Sequence, residues 1–448
     1  MKNGRRWRKR LKRLVYSLVA VLVGAYLLLW WVSLRIVEFP SWPPPDDAVT
    51  PEHAQSVTEA FALRSNPARD DVAIPYAPST ASDVQLFLDG PQFFPAMLMD
   101  IETANHSIHM HMFGVTEGDI AQRFVDALVT RCEAGVEVRL IVDFYGAKVD
   151  AESKPYFDAL AAAGVETVVN NVFPPDYDGL YGDQSLDWRM DEAGQSDHRK
   201  AMVVDGQIGW VGGAGLQDHF NAGSFRDVFV RVEGNVVRQM QAVFLTSFAS
   251  FGGPVSGAPD SLAPYFPAPH DPGTIHTTLL QNVPGGFVPA TQASRAIIEA
   301  STGRLDIMNP YFTDPGMLDR IVEAAERGVE VRLVVSERSN NAPADAALKH
   351  QYPRLLAAGV EIWEYPATMH AKVTIADDAM IVGTINYDAW ALYRNMDIAL
   401  LFEDTIVADL GVSDFVEANI ALSRPGAVPT GIGERMKYWF WDKFVYFL

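Results

Sequence analysis

From about residue 83 the chain switches repeatedly between two hydrophobic periods. LFLDG reads as a short strand closing on a turn, and FFPAMLMDIETAN spaces its apolar residues as one face of a helix. HSIHMHMFG returns to the strand period. DIAQRFVDALVTRCEAG is again helical and stops at a glycine, and VEVRLIVDF is a further strand. Strands and helices in strict alternation imply an α/β architecture. The same order then recurs. GVEVRLIVDF starts at Gly135 and GVEVRLVVSE at Gly328, an offset of 193 residues, and AAGVE at Ala162 returns at Ala357, an offset of 195. The chain therefore reads as a tandem duplication, with halves at 83–252 and 274–448 and a Pro/Gly-rich connection at 253–273.

The N-terminal region follows a different pattern. Residues 1–13 hold eight basic residues and no acid, and Leu14–Leu34 is a run of 21 residues without a charge. That length spans a bilayer core as a helix, and Trp30 and Trp31 fall where an interfacial aromatic belt is expected. The expectation is one uncleaved transmembrane helix at 14–34, with the N-terminus in the cytoplasm by the positive-inside rule and the body on the far side. Residues 35–82 are rich in Pro, Ala and Asp and read as a linker.

Charge narrows the choice of partner. The net charge is −20, and subtracting the eight basic charges of the first segment leaves −28 on the rest. A body this acidic repels a nucleic-acid backbone, which argues against a nuclease. The single cysteine, Cys132, permits no internal disulfide and reads as a small hydrophobe on a helix.

Candidate chemistry lies in a pattern that occurs twice, His-x-Lys-x-x-x-x-Asp. The copies are His198, Lys200 and Asp205 in SDHRKAMVVDG, and His370, Lys372 and Asp377 in MHAKVTIADD. Each sits on a strand-like apolar run before a Gly-rich turn. In a strand, residues i and i+2 share a face, so each copy delivers an imidazole together with a cation. One imidazole can attack a phosphorus and the other can protonate the departing oxygen, while the lysines hold phosphate oxygens. One motif per half places a single site where the halves meet.

With these motifs, and with DIETANHSIHMHMF, FRDVFVRVEGNVV, MNPYFTDPGMLDRIVEAAERGVEVRLVV and NMDIALLFED, the chain resembles the phospholipase D superfamily from residue 83 onward, and bacterial cardiolipin synthases most of all. The resemblance implies two phospholipase D-like α/β/α sandwich domains related by a pseudo-two-fold axis. It implies imidazole-orienting carboxylates at Asp227 and Asp397 and a phosphate-facing amide at Asn386. It gives His198 as nucleophile and His370 as general acid, with Asp205 and Asp377 ranking behind them as mainly structural members of the motif. No metal or other cofactor is implied. The expected reaction joins two phosphatidylglycerols, with release of glycerol, at a bacterial plasma membrane; no obligate protein partner is inferred. Head-group hydrolysis or exchange by a general phospholipase D is the leading alternative, and a silent lipid-binding relative is another.

Departures from the family pattern fall near the site. Gly215 stands where the first half's amide is expected, with Gln217 and Asn221 as substitutes. Gly383-Thr384 replaces Gly-Ser, and Trp390-Ala391 replaces Arg-Ser. His106, His109 and His111 read as core or pocket-lining residues, since no metal-ligand spacing accompanies them. The acidic loop at 176–192 reads as a solvated border of the site entrance, and Tyr311 and Phe312 as aromatic core. The C-terminal MKYWFWDKFVYFL fits a membrane surface or a segment closing the core.

Overall fold

The computed structural model describes residues 78–116, 118–147, 153–170, 196–255, 262–283 and 288–445. The basic segment 1–13, the apolar run 14–34 and the acidic loop 176–192 lie outside these residues. Among the described residues no helix is long and apolar enough to cross a membrane.

Two short strands open this part of the chain, β1 (Pro78–Ala81) and β2 (Asp83–Leu88), and they go to different sheets. In the first half follow β3 (Ser107–Met112), β4 (Glu137–Asp143), β5 (Glu166–Asn170), β6 (Lys200–Val204), β7 (Ile208–Gly212), β8 (Phe225–Arg226) and β9 (Val228–Glu233). In the second follow β10 (Ile275–Asn282), β11 (Arg304–Met308), β12 (Glu330–Ser336), β13 (Glu361–Tyr365), β14 (Thr368–Met369), β15 (Val373–Ala376), β16 (Ala379–Gly383), β17 (Asp397–Glu403) and β18 (Arg424–Pro425). The first sheet runs β2-β9-β7-β6-β3-β4-β5, and the second contains β10-β17-β16-β15-β11-β12-β13 in the corresponding order. In both, the three strands at one side are parallel and the others antiparallel. The repeat seen in the sequence is thus a repeat of a mixed α/β sheet.

Strand β1 departs from expectation. Residues 78–81 belong to the segment read as linker, yet they pair antiparallel with β10 at the edge of the second sheet. PSTA carries no apolar alternation, so an edge strand held by main-chain bonds leaves no pattern to read. The chain end of the first half is thereby fastened to the second.

Alternation along each strand feeds two cores. In β9, Phe229 packs with Phe93, Met110 and Trp210, while Val228, Val230 and Val232 face the opposite way. There they meet Leu279, Val373, Val382 and Leu400 of the second sheet in one shared core. Burying each such side chain is worth about 1.5–3 kcal/mol. All described residues fall in one compact unit. Helices pack on the outer faces, among them α1 (Gly90–Thr103), α2 (Asp119–Glu133) and α3 (Lys154–Ala163), whereas α4 (Val236–Ser250) is mostly buried; the second half adds α5 (Pro289–Ala300), α6 (Pro315–Glu326), α7 (Ala342–Ala357) and α8 (Ile432–Asp442). Gly164, at φ 93°, ends α3 in the left-handed conformation.

Cys132 lies on α2, half-buried, with its thiol donating to Ala163 O. His109 and His111 are buried core residues, His109 stacked on Phe244, whereas His106 is exposed. Phe312 is buried against Tyr387, and the Tyr311 hydroxyl bonds Asn340.

Candidate active site

Each motif histidine stands where a strand begins and where its half touches the other. His198 precedes β6, and its N–H donates to Met396 O while Met396 N–H donates to Ser196 O. His370 follows β14, which pairs in parallel with β8, and its N–H donates to Arg226 O. The two clasps have the same register. In each, a histidine amide is tied to the residue just before a buried aspartate of the opposite half.

That register crosses the carboxylates between halves. His198 Nδ1 donates to Asp397 Oδ1 at 2.9 Å, and His370 Nδ1 donates to Asp227 Oδ2 at 2.6 Å. Both aspartates are fully buried. A carboxylate on Nδ1 leaves Nε2 of each ring as the atom able to attack or carry a proton.

The lysines complete the constellation. Lys200 Nζ donates to His198 O at 2.6 Å and lies 4.6 Å from the Phe113 ring centroid. Lys372 Nζ donates to His370 O at 2.5 Å and stands 2.7 Å from His370 Nδ1 and 3.2 Å from Nε2. Asn386 is buried, its Oδ1 without a partner among the described residues. The site therefore gathers His198, Lys200, Asp227, His370, Lys372 and Asp397.

Asp205 and Asp377 are not brought to it. Asp205 accepts the N–H groups of Asn105, His106 and Ser107, and Asp377 those of Thr302, Gly303 and Arg304. Both residues turn the chain at the far end of the motif hairpin, at φ 53° and 51°. They take no part beside the histidines, because the strand and turn of each hairpin carry them away from the imidazoles. Partial burial pushes the Asp377 carboxyl up, but its backbone donors outweigh that and hold it below the usual carboxylate range.

Burial dominates the electrostatics. It drives both imidazoles well below their ordinary pKa, aided by Lys200 and Lys372, and for His370 also by His198. It lowers Lys200 to about 7, with Lys372 adding repulsion, and Lys372 to about 8. It raises Asp227 and Asp397 to about 7. A site so reluctant to hold charge favours an anion that neutralises its cations. The non-bridging oxygens of a phosphodiester would do so.

Several contributors were invisible to motif reading. Phe113 sets its ring edge-on to His198 at 4.9 Å, and Phe220 and Phe225 flank His370 at 5.3 and 5.8 Å. Gly213 admits Asp227: a Cβ there would lie 2.3 Å from Asp227 Oδ1. Its counterpart Thr384 instead donates to Asp397 Oδ1 at 2.6 Å, so the Gly-Thr departure supplies a bond. Behind His198, Arg199 and Asp197 form a buried ion pair at 2.7 Å. The strand period offered a signal here, since residues 197 and 199 must face away from 198 and 200. Gln217 fills the space beside Gly215 and donates to Thr116, while Asn221 is exposed.

The fold class can be identified from solved structures. The crystal structure of phosphatidylserine synthase from Haemophilus influenzae Rd KW20 superposes with a TM-score of 0.61 at 13% identity, covering 87% of this chain and 97% of that one. Residues 97–246 and 295–417 match the family model described as cardiolipin synthase, PLD-like domain, and the chain belongs to that family. Among curated relatives, a cardiolipin synthase of Geobacillus kaustophilus is 29% identical over 353 residues, 76% of this chain and 66% of that protein. Cardiolipin synthase 2 of Bacillus cereus is 29% identical over 350 residues, 75% of this chain and 64% of that protein. The chain thus spans just under two thirds of the length of these relatives.

Proposed function

We propose that this protein is a membrane-anchored phosphatidyltransferase that makes cardiolipin from two phosphatidylglycerols. The observation that carries the reading is the crossed pair of imidazole–carboxylate contacts, His198–Asp397 and His370–Asp227, with one lysine beside each ring. Such a site has two chemically similar groups for two opposite proton tasks, as a double displacement at phosphorus requires. The family model and the relatives' names support the same reaction and the same substrate class.

In the first step His198 Nε2 attacks the phosphorus of one phosphatidylglycerol. The bond to the glycerol oxygen breaks, and His370, protonated once the phosphodiester's negative charge enters the site and raises its pKa, gives that oxygen its proton from Nε2. Glycerol leaves, and the phosphatidyl group rests on His198. In the second step His370, now neutral, takes the proton of a hydroxyl on a second phosphatidylglycerol. That oxygen attacks phosphorus, the phosphorus–nitrogen bond breaks, and cardiolipin departs. Asp397 stabilises the charge that develops on the His198 ring and Asp227 that on His370. Lys200, Lys372 and Asn386 hold the non-bridging oxygens as charge shifts onto them. Water as the acceptor in place of a lipid hydroxyl would give phosphatidic acid.

The reading includes a transmembrane helix at Leu14–Leu34 in a bacterial plasma membrane, with the body outside the cytoplasm. The 21 uncharged residues behind a basic segment support it. A tether of this kind keeps a lipid-consuming site at high local substrate concentration. A C-terminal reporter active only outside the cytoplasm tests the sidedness; an inactive but well-expressed fusion would reverse it.

The reaction is tested by mass spectrometry of lipids after incubating the full-length protein with phosphatidylglycerol vesicles and a chelator. Cardiolipin and glycerol are expected, and both are lost in His198→Ala and His370→Ala. Phosphatidic acid as the sole product would move the protein to the hydrolases.

A further inference from the structure

A C-terminal helix, α8 (Ile432–Asp442), is turned inside out relative to an ordinary surface helix. It contains no buried residue, and its large apolar side chains face solvent: Ile432 is 79% exposed, Met436 68%, Trp439 53% and Phe440 42%. At 3.6 residues per turn these four share an arc about 100° wide. Tyr438, Trp441 and Asp442 on the other side are half-buried. They pack towards α7 (Ala342–Ala357), where Gln351 Nε2 donates to Asp442 Oδ1 at 2.6 Å. Pro429, Ile432, Met436 and Trp439 line one groove, whose other wall is Lys349, His350 and Pro353 of α7.

We propose that α8 is a membrane-docking element that lays this stripe into the interface of an anionic bilayer. The inference rests on the phospholipid-transferase reading and adds to it how the body meets its substrate. Charge favours this occupant. Arg435, Lys437 and Lys443 against Glu434 and Asp442 leave residues 432–443 with a net charge of +1, on a chain whose net charge is −20. Lys443 Nζ pairs with Asp442 Oδ2 at 2.9 Å and lies 5.9 Å from the Trp439 ring centroid, at the end of the stripe. Tryptophan beside basic residues is the side-chain set of an interfacial helix. Location favours it as well. The C-terminal end of α8 borders Phe312 and Thr313, on the loop after β11, and Pro315, which starts the next helix; β11 pairs with β15 directly after Lys372. Docking through α8 would therefore hold the site end of the second sheet near the lipid head groups.

The test uses the full chain with Cys132→Ala, reconstituted into vesicles of phosphatidylglycerol and phosphatidylethanolamine. Trp439→Cys carries an environment-sensitive fluorophore, and Met99→Cys, on an exposed position of α1, carries the same label as control. Nitroxide lipids are expected to quench the Trp439 label and iodide the Met99 label. A Trp439 label that behaves like the Met99 label overturns the proposal. So does a label shielded from iodide without lipid quenching and cross-linking between copies, which would assign the stripe to a second chain. As a second arm, the pair Ile432→Ser and Met436→Ser should lower turnover on vesicles about tenfold while sparing short-chain phosphatidylglycerol below its micelle concentration. Equal loss on both substrates counts against docking. A wild-type protein that turns over neither substrate would refute the transferase reading, whereas the label quenching still decides the docking.

Discussion

Crossed pairing makes the two orienting aspartates chemically distinguishable. Asp397 bonds Nδ1 of His198, the proposed nucleophile, and also accepts from Thr384 Oγ1 at 2.6 Å. Asp227 bonds Nδ1 of His370, the proposed acid, and accepts from Val228 N at 2.8 Å. Asp→Asn keeps the shape at either position and removes the charge. A hydrogen bond to a charged group is worth about 1.5–3 kcal/mol, so each variant should lose about 10- to 150-fold in kcat with phosphatidylglycerol. The discriminating assay replaces glycerol by p-nitrophenol as leaving group, which departs without being protonated. Asp227→Asn should then recover most of the wild-type burst of p-nitrophenol, because the acid is no longer needed. Asp397→Asn should remain slow, because attack still is. The reverse pattern would show that His370 attacks. Losses below threefold in both variants, with the fold intact, would refute the claim that these carboxylates orient the rings.

Further predictions follow from the same geometry. Gly213→Ala forces a Cβ against the Asp227 carboxylate, so it should mimic Asp227→Asn, with a large loss on phosphatidylglycerol and sparing with p-nitrophenyl substrate in the same burst assay. Asp205→Ala and Asp377→Ala each remove an acceptor for three backbone N–H groups and leave Ala at positive φ; a loss of about 1–3 kcal/mol in stability is expected by denaturant titration, with the kcat of the folded fraction unchanged. Phosphodiester binding should weaken as pH rises above about 7–8. Lys200 at about 7 and Lys372 at about 8 are partly deprotonated there, and an anion raises their pKa and draws in protons. Titration calorimetry in buffers of different ionisation enthalpy should register that uptake; binding without proton uptake and independent of pH between 7 and 9 would contradict it.

Much of the architecture is legible in the pattern of apolar residues, for physical reasons. Strands such as VEVRLIVDF and helices such as DIAQRFVDALVTRCEAG show their period because each buries a face that the period defines. The duplication was legible because two equal sheets demand the same order of faces twice. Strand β1 was not, because an edge strand tied by main-chain bonds needs no apolar alternation. Nor was the outward face of α8, since an amphipathic helix looks the same whether its apolar side meets the core or something outside it.

At the site the division is sharper. The sequence by itself determined the chemical inventory: two imidazoles, two lysines at i+2, and an aspartate downstream of each. It also determined that His198 and Lys200 share a face, as do His370 and Lys372, because the strand period is a local property of the backbone. Only the tertiary structure decided which aspartate serves which histidine. That choice depends on the parallel clasps between residues 196–198 and 396, and between 224–226 and 368–370, contacts nearly 200 and about 145 residues apart along the chain. It also decided that Asp205 and Asp377 hold turns and not substrate. Distance along the motif says nothing of direction, and the hairpin folds its aspartate end away from the imidazoles.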